Sequence, residues 1–283
     1  MDILDEIVAN KRTELALAVS DLPLDTLQQL TQQRVARDGR LKMRSMKLSL
    51  AQSQSGIIAE FKRKSPSKGW IHADARVEDV VPAYLANGAS AVSILTDEKY
   101  FGGRLEFIQI ARTAIFGDGG CILRKEFIID EYQLYEARLV GADAVLLIAA
   151  DLHPMQYGEL LRKAHDLGLE VLLEVHDASE LEYLKAGVPD MLGVNNRSLG
   201  TFHTDVQHSF DIAAQMQSAV RALGLSEDET PLLVSESGIS SPEVVRRLRE
   251  VGFRGFLIGE CFMKEADPGQ ALAEFVERVI SKG

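Results

Sequence analysis

No stretch of this 283-residue chain approaches the ~20 consecutive apolar residues that a membrane-spanning helix requires. The segment Met1 to Glu6 is acidic and amphipathic, with no basic stretch leading into an apolar run, so no signal peptide is expected. Cysteine is scarce. Cys121 and Cys261 are the only two, and they have neither CxxC nor metal-ligand spacing. Free thiols in a reducing compartment are therefore expected, and the cytoplasm is the location that fits. No HxxxH or similar spacing suggests a metal site. Positive charge is also short, with 31 Lys and Arg against 42 Asp and Glu and a formal net charge of −11. A general nucleic-acid binder would need basic patches against phosphates, so that class is disfavoured. A small anionic ligand is compatible with the balance if the cations gather in one cleft.

What is present is ordinary globular usage, 46% hydrophobic and 26% charged, which favours neither a disordered nor a membrane class. One local pattern recurs. A helical segment ends at glycine and a short apolar run follows, at Gly88, Gly141, Gly168, Gly187 and Gly252. Glycine closes helices because it takes the left-handed conformation without a Cβ clash. Repeated helix–glycine–strand steps predict β-α-β units and a parallel sheet. The strand candidates are Gly56–Phe61, Ala91–Leu95, Cys121–Lys125, Ala144–Ile148, Val171–Val175, Met191–Val194, Leu232–Ser235 and Gly255–Ile258. Several are near-continuous apolar runs, as expected where both sheet faces are covered.

Eight strands with intervening helices is the count of a closed α/β barrel, the (β/α)8 or TIM barrel. The alternative is an open doubly wound sheet. The barrel is favoured because no GxGxxG opens the helix after the first strand. The expected organisation is one barrel domain over residues 1–283, with residues 1–50 as a helical extension packed on it. Within that extension Asp2–Ala18 and Leu24–Gln33 read as amphipathic helices, the second started by Pro23. Pro82 is compatible with a helix if Asp79 is the N-cap, which would place it in the first turn. Leu225–Thr230 reads as a polar surface loop. After the last strand only a helix over Pro268–Ser281 remains, too little for a second catalytic barrel.

Barrels of this kind keep their active sites at the C-terminal ends of the strands. Here those ends are polar in a chain whose strands are otherwise apolar. The first strand runs out through Glu60 and Lys62, which alternation puts on one face. The third ends in Lys125, the fifth in Glu174, the sixth in Asn195 with Arg197 beyond, the seventh in Ser235-Glu236-Ser237-Gly238 and the eighth in Gly259-Glu260. A single strand-end charge can simply reach solvent. A ring of them points to function, because burying so many charges without a task is unfavourable. Ser237-Gly238 and Gly259 offer backbone N–H groups with little steric bulk, and Ser241-Pro242 reads as a helix start. Exposed N–H groups near a helix N-terminus hold phosphate, and barrels often place such a site after strands seven and eight. His176, beside Asp177 after Glu174, reads as a base or, more readily, as part of the fifth loop or a helix start. Trp70 and Tyr100-Phe101 read equally as a cover for an aromatic ring or as a cap on the barrel.

Seven stretches then carry a family resemblance: IIAEFKRKSPSKG (57–69), SILTDEKYFGG (93–103), LRKEFIIDEYQLYEAR (123–138), LLEVHD (172–177), GVNNRSLGTFHTD (193–205), VSESGI (234–239) and GFLIGECFM (255–263). In order and across the whole barrel they resemble the indole-3-glycerol-phosphate synthase family of tryptophan biosynthesis. The resemblance implies a carboxy-lyase that closes the pyrrole ring of 1-(2-carboxyphenylamino)-1-deoxyribulose 5-phosphate with loss of CO2 and water, using no cofactor or metal. It implies Lys125 as the general acid at the substrate carbonyl and Glu174 as its acid–base partner. Glu60 and Lys62 would handle the substrate carboxylate and the later dehydration. Asn195 and Arg197 would position the ribulose hydroxyls and support Glu174. Glu236, Phe127, Pro66 and Leu199 join Arg197 as substrate contacts. Ser65, Ser237, Gly238 and Gly259 would hold the phosphate, with Glu260 contributing its backbone where some relatives carry a small hydroxyl residue. The partner is then a small anionic phosphosugar, with no nucleic acid and no membrane, and a monomer is the simplest assembly. Two other readings of the same ring are a phosphosugar isomerase or Schiff-base aldolase with Lys125 as nucleophile, and a non-catalytic phosphosugar-binding barrel. The clustered lysines should depress one another's pKa while the glutamates oppose this.

Overall fold

The computed structural model of the chain describes residues 3–38, 44–115, 119–198 and 203–281. Eight parallel strands close into a barrel in sequence order, the last pairing with the first. They are β1 (Ile57–Phe61), β2 (Ala91–Leu95), β3 (Cys121–Lys125), β4 (Ala144–Ile148), β5 (Glu170–Val175), β6 (Met191–Asn195), β7 (Leu232–Glu236) and β8 (Gly255–Ile258). A short antiparallel hairpin, Lys64–Ser65 with Gly69–Trp70, projects after β1. Each expected strand is present within a residue at either end. Gly56 falls outside β1 because it turns at φ +65, and a Cβ there would stand 2.2 Å from the Arg254 carbonyl oxygen.

The helix–glycine–strand pattern has two physical origins. Gly88, Gly141, Gly168 and Gly252 have positive φ, as expected for helix closure. Gly187 corrects the expectation, because it is not left-handed. A Cβ there would stand 2.5 Å from Leu161 Cδ2, so close packing selects glycine at that site. It also follows not an α-helix but a 3-10 segment, Ala178–Lys185. Pro82 is a second correction. Its helix starts after Arg76, so Pro82 is the sixth residue of Val77–Ala86 and lies past the first turn. Its ring removes one backbone hydrogen bond. The helix continues past it because Val77, Val80, Val81 and Tyr84 are buried along one face.

The apolar residues sort by strand alternation. Ile58, Leu123, Leu146, Leu172, Val234 and Leu257 point inward and fill the barrel, while their neighbours Ile57, Ile122, Val145, Leu173, Leu233 and Phe256 face the outer helices. Each such buried side chain contributes about 2 kcal/mol through the hydrophobic effect. Among the described residues three helices precede β1: α1 (Ile3–Asp21), α2 (Leu24–Arg37) and α3 (Met46–Gln52). The first two overlap the two helices expected there, each running longer at its C-terminal end. Asp2 lies outside the described residues. Met46 and Leu50 of α3 join the interior cluster. Leu27 of α2 packs on Tyr132 and Tyr135. Pro268–Ile280 is the final helix, close to its expected span. Among the described residues no helix is long and apolar enough to cross a membrane.

Candidate active site

The alternation that fills the barrel also builds its mouth. Continuing each inward row past its last apolar residue gives Glu60 after Ile58, Lys125 after Leu123, Glu174 after Leu172 and Glu236 after Val234. Strand register holds these ends level: Leu95 pairs with Lys125, Ile148 with Glu174, and Asn195 with Glu236. Lys62 extends the Glu60 row just beyond the end of β1.

Lys125 is the hub. Its ammonium donates to Glu174 Oε2 at 2.7 Å and to Glu236 Oε2 at 2.8 Å. Asn195 Nδ2 donates to Glu174 Oε1 at 3.1 Å. Beside this group Lys62 Nζ lies 2.5 Å from Glu60 Oε1. Burial would pull the Lys125 pKa down, but the Glu174, Glu236 and Glu60 carboxylates outweigh it and raise the pKa above the ordinary lysine value. Among the opposing effects expected from sequence, the glutamates win. Burial favours a neutral Glu174 too, yet the Lys125 ammonium and His176 hold it well below the usual carboxylate range. Glu236 goes the other way. Burial and the nearby Glu174 charge push it up to about 7 against the pull of Lys125. Glu174 therefore carries the charge that pairs with Lys125, and Glu236 is the more readily protonated of the two.

Two cavities open at this end and share Glu60, Lys62, Arg197, Ser237 and Leu257. The first continues over Lys125, Glu174 and Asn195 to apolar walls that include Pro66, Phe127 and, from α1, Ile3, Leu4 and Ile7. The second runs to Gly238, Gly259, Glu260, Ser67 and Lys68. Ser237 has φ +66 and is the only non-glycine residue with positive φ among the described residues. Gly238 follows at φ +74, where a Cβ would also stand 2.8 Å from Thr204 Cγ2. This turn is braced from behind by buried Asn196, whose Nδ2 donates to the Ser237 carbonyl at 3.0 Å. At Gly259 a Cβ would stand 2.6 Å from Glu60 Oε1, so only glycine lets the two strand ends meet. Ser241 caps the next helix and accepts from the Val244 N–H at 3.4 Å, with Pro242 in its first turn, as the sequence predicts.

Most of the sequence-selected residues meet here, and a few do not. Glu236 is fully buried and lines neither cavity; it lies behind Lys125. Its remaining oxygen, Oε1, has no hydrogen-bond partner among the described residues. Ser65 is buried, its hydroxyl has no hydrogen-bond partner among the described residues, and it also lines neither cavity, while Pro66 and Ser67 beside it do. Arg197 lines both cavities, and its backbone N–H donates to Asn195 Oδ1 at 3.1 Å. Glu260 does reach the second cavity, but its side chain pairs with Lys68 at 2.5 Å. Leu199 lies outside the described residues. Phe101 lines the first cavity, its ring 6.0 Å from Phe127. Tyr100 instead ties down α1 by donating to Glu6 Oε1 at 2.9 Å, and Trp70 is exposed under Arg63 and Lys64.

Sequence reasoning missed Lys11 and left His176 open between a base and a loop residue. Lys11 of α1 is buried, 3.2 Å from Asp97 and 3.1 Å from Glu126, and so fastens α1 over the first cavity. His176 lies 3.3 Å from Glu174 Oε1. Neither has a local sequence signal, because the partners of Lys11 come from distant loops and the direction of the His176 ring depends on the turn after β5.

A closed (β/α)8 barrel with a lysine–glutamate centre and a glycine-lined turn at its mouth defines a barrel enzyme of the acid–base type. Comparison with known proteins gives the particular one. The model of the family "Indole-3-glycerol phosphate synthase" matches residues 4–275. The chain belongs to the indole-3-glycerol phosphate synthase family. It is 56% identical over 279 residues to the indole-3-glycerol phosphate synthase of Bacteroides thetaiotaomicron, covering 98% of this chain and 99% of that one. It is 39% identical to that of Laribacter hongkongensis, covering 96% and 98%. Among solved structures it resembles a mutant tryptophan synthase alpha-subunit from Pyrococcus furiosus, with TM-score 0.57, 16% identity and coverage of 80% and 97%. It also resembles 3-hexulose-6-phosphate synthase from Salmonella typhimurium, with TM-score 0.55, 13% identity and coverage of 79% and 98%. Those two likenesses concern the fold alone.

Proposed function

We infer that this chain converts 1-(2-carboxyphenylamino)-1-deoxyribulose 5-phosphate to indole-3-glycerol phosphate, CO2 and water, as a carboxy-lyase of tryptophan biosynthesis. The observation that carries the residue assignment is Lys125, held between two carboxylates beneath a cavity that runs on to the Ser237–Gly238 turn. In ring closure the aryl carbon bearing the carboxylate attacks the ketone carbon, a C–C bond forms, and the carbonyl oxygen takes a proton from Lys125. The raised pKa of Lys125 supports this role, since the ammonium is fully protonated at neutral pH. Loss of CO2 then returns the C–C bonding pair to the ring. Dehydration removes the new hydroxyl as water, with one proton supplied by an acid and one carbon-bound proton taken by a base. The Glu60–Lys62 pair is assigned to the substrate carboxylate and this dehydration. Glu174, held ionised, is the base partner of Lys125. Asn195 orients Glu174, and Arg197 meets the ribulose hydroxyls. Ser237, Gly238 and Gly259 receive the phosphate, and Pro66 and Phe127 flank the aromatic ring.

The same ammonium argues against Lys125 as a Schiff-base nucleophile, which must be neutral to attack. Borohydride reduction with substrate is expected to leave no adduct on Lys125. Turnover by the purified protein, followed through indole fluorescence, tests the reading, and Lys125→Ala is expected to abolish it while the protein stays folded. The unpaired Cys121 and Cys261 fit a reducing cytoplasm as the compartment.

A further inference from the structure

We propose that His176 is a positioning residue for Glu174: its ring stands against Glu174 Oε1, outside both cavities, and holds Oε2 toward Lys125. The inference rests on the assignment of Glu174 as the base. The two oxygens of Glu174 have different surroundings. Among the described residues Oε2 accepts from Lys125 at 2.7 Å, while Oε1 accepts from Asn195 Nδ2 at 3.1 Å and has His176 Nε2 at 3.3 Å, an ion-pair contact without a hydrogen bond, since neither ring nitrogen of His176 has a hydrogen-bond partner there. The Asn195 hydrogen bond and the attraction of the His176 charge both act on Oε1, so exchange of the two oxygens is disfavoured and Oε2 stays on Lys125.

His176 is itself held. Its backbone N–H donates to Glu180 Oε2 at 2.5 Å, and that oxygen lies 3.8 Å from its Nδ1. His208, from the helix Gln207–Ala222, places Nε2 2.7 Å from the His176 carbonyl oxygen. The ring lines neither cavity, so it acts on substrate only through Glu174.

The charges around the ring explain why a histidine belongs there. Glu174 faces it from β5 and Glu180 from the segment that follows. Asp151, just after β4, adds a third carboxylate that interacts with His176, Glu174 and Glu180, and with Asp5 of α1. Neither Asp151 oxygen has a hydrogen-bond partner among the described residues. Lys125 reaches only the far side of Glu174. Buried carboxylates this close repel one another, and a cation among them removes the repulsion. Burial pulls His176 down, but Glu174 and Glu180 hold it up to about 10, so it is the imidazolium at neutral pH. Asp151 is pushed up to about 7 by burial and by Glu174, with His176 opposing.

The test is His176→Gln, which keeps a polar side chain of similar reach without the charge. We expect kcat to fall by about 10-fold with KM within about 2-fold. The acidic limb of the kcat–pH profile should move up by about one unit, because Glu174 loses a neighbouring cation. A purely structural role would not move that limb. Glu180→Gln leaves Glu174 and His176 in place and should shift kcat in the same direction by about 2-fold to 3-fold, which keeps the test open if His176→Gln does not fold. A kcat–pH profile that superimposes on wild type in these variants overturns the positioning role. Glu174→Gln separates the two levels. If it retains wild-type turnover, the base assignment itself falls. If it is inactive while the His176 and Glu180 variants match wild type, only the positioning inference falls.

Discussion

The two ends of this barrel each bury a cluster of charges, and they treat them differently. At the N-terminal end Arg112 donates through Nε and Nη2 to the Gly141 carbonyl at 3.1 and 2.9 Å, and through Nη1 to the Gly120 carbonyl at 2.8 Å. It also pairs with Asp143, which accepts in addition from the Ile122 N–H at 2.8 Å and from Arg44 at 3.4 Å. Backbone groups thus complete the bottom cluster. At the C-terminal end the cluster is made almost wholly of side chains, and Glu236 Oε1 and the Ser65 hydroxyl have no hydrogen-bond partner among the described residues. The bottom cluster joins the loops before β3 and β4. The top cluster keeps hydrogen-bonding capacity in reserve, which is what the proposed proton transfers need. A buried charge is thus no guide to function until its remaining hydrogen-bonding capacity is counted.

Substitutions at the two ends should separate activity from stability. Lys125→Met is expected to lower kcat by about 10³-fold. Its stability cost should be modest, because Glu236 can take up a proton once the ammonium is gone; indole fluorescence and a thermal melt read the two quantities. Arg112→Met is expected to do the reverse. It leaves Asp143 buried without its main partner, costs about 3 kcal/mol in a denaturant titration, and leaves kcat of the folded fraction unchanged. Equal effects of both variants on kcat would erase the distinction between the ends.

A subtler contrast lies within the mouth, between the acid–base groups and the glycine turn. Gly238→Ala places a Cβ at φ +74 and 2.8 Å from Thr204, which costs about 1–2 kcal/mol of strain. We expect KM to rise by about 10-fold with kcat nearly intact, because the turn is assigned to binding. The smallest effect concerns stability against pH. His176 has a folded pKa of about 10 against an ordinary 6.5, so its contribution is complete below pH 6.5 and is lost as the pH rises through 10. The melting-temperature gap between wild type and His176→Gln should therefore shrink from pH 6.5 to pH 10. A gap that widens would reverse the sign of the ion pair.

Much of the mouth was legible because strand alternation is strict. Lys125, Glu174 and Glu236 each fall two residues beyond an interior apolar residue, so the pattern that marks the core also marks the site. The depth of each side chain was not legible. Glu236 sits behind Lys125 and Ser65 turns inward, although their sequence neighbours reach the cavities. Lys11 reads as one more charge on an exposed helix. It becomes a buried clamp only when Asp97 and Glu126 arrive from two different loops. Pro82 misled because the local capping signal at Asp79 was outweighed by the packing of Val77 and Tyr84.

The most direct test is a single-turnover experiment in which the Lys125→Met enzyme, in excess, meets the anilino-ribulose phosphate. The account predicts that substrate binds saturably and that indole fluorescence rises at less than about a hundredth of the wild-type rate. A wild-type rate of indole formation would show that the proton comes from elsewhere and would contradict the placement of Lys125 at the centre of the site.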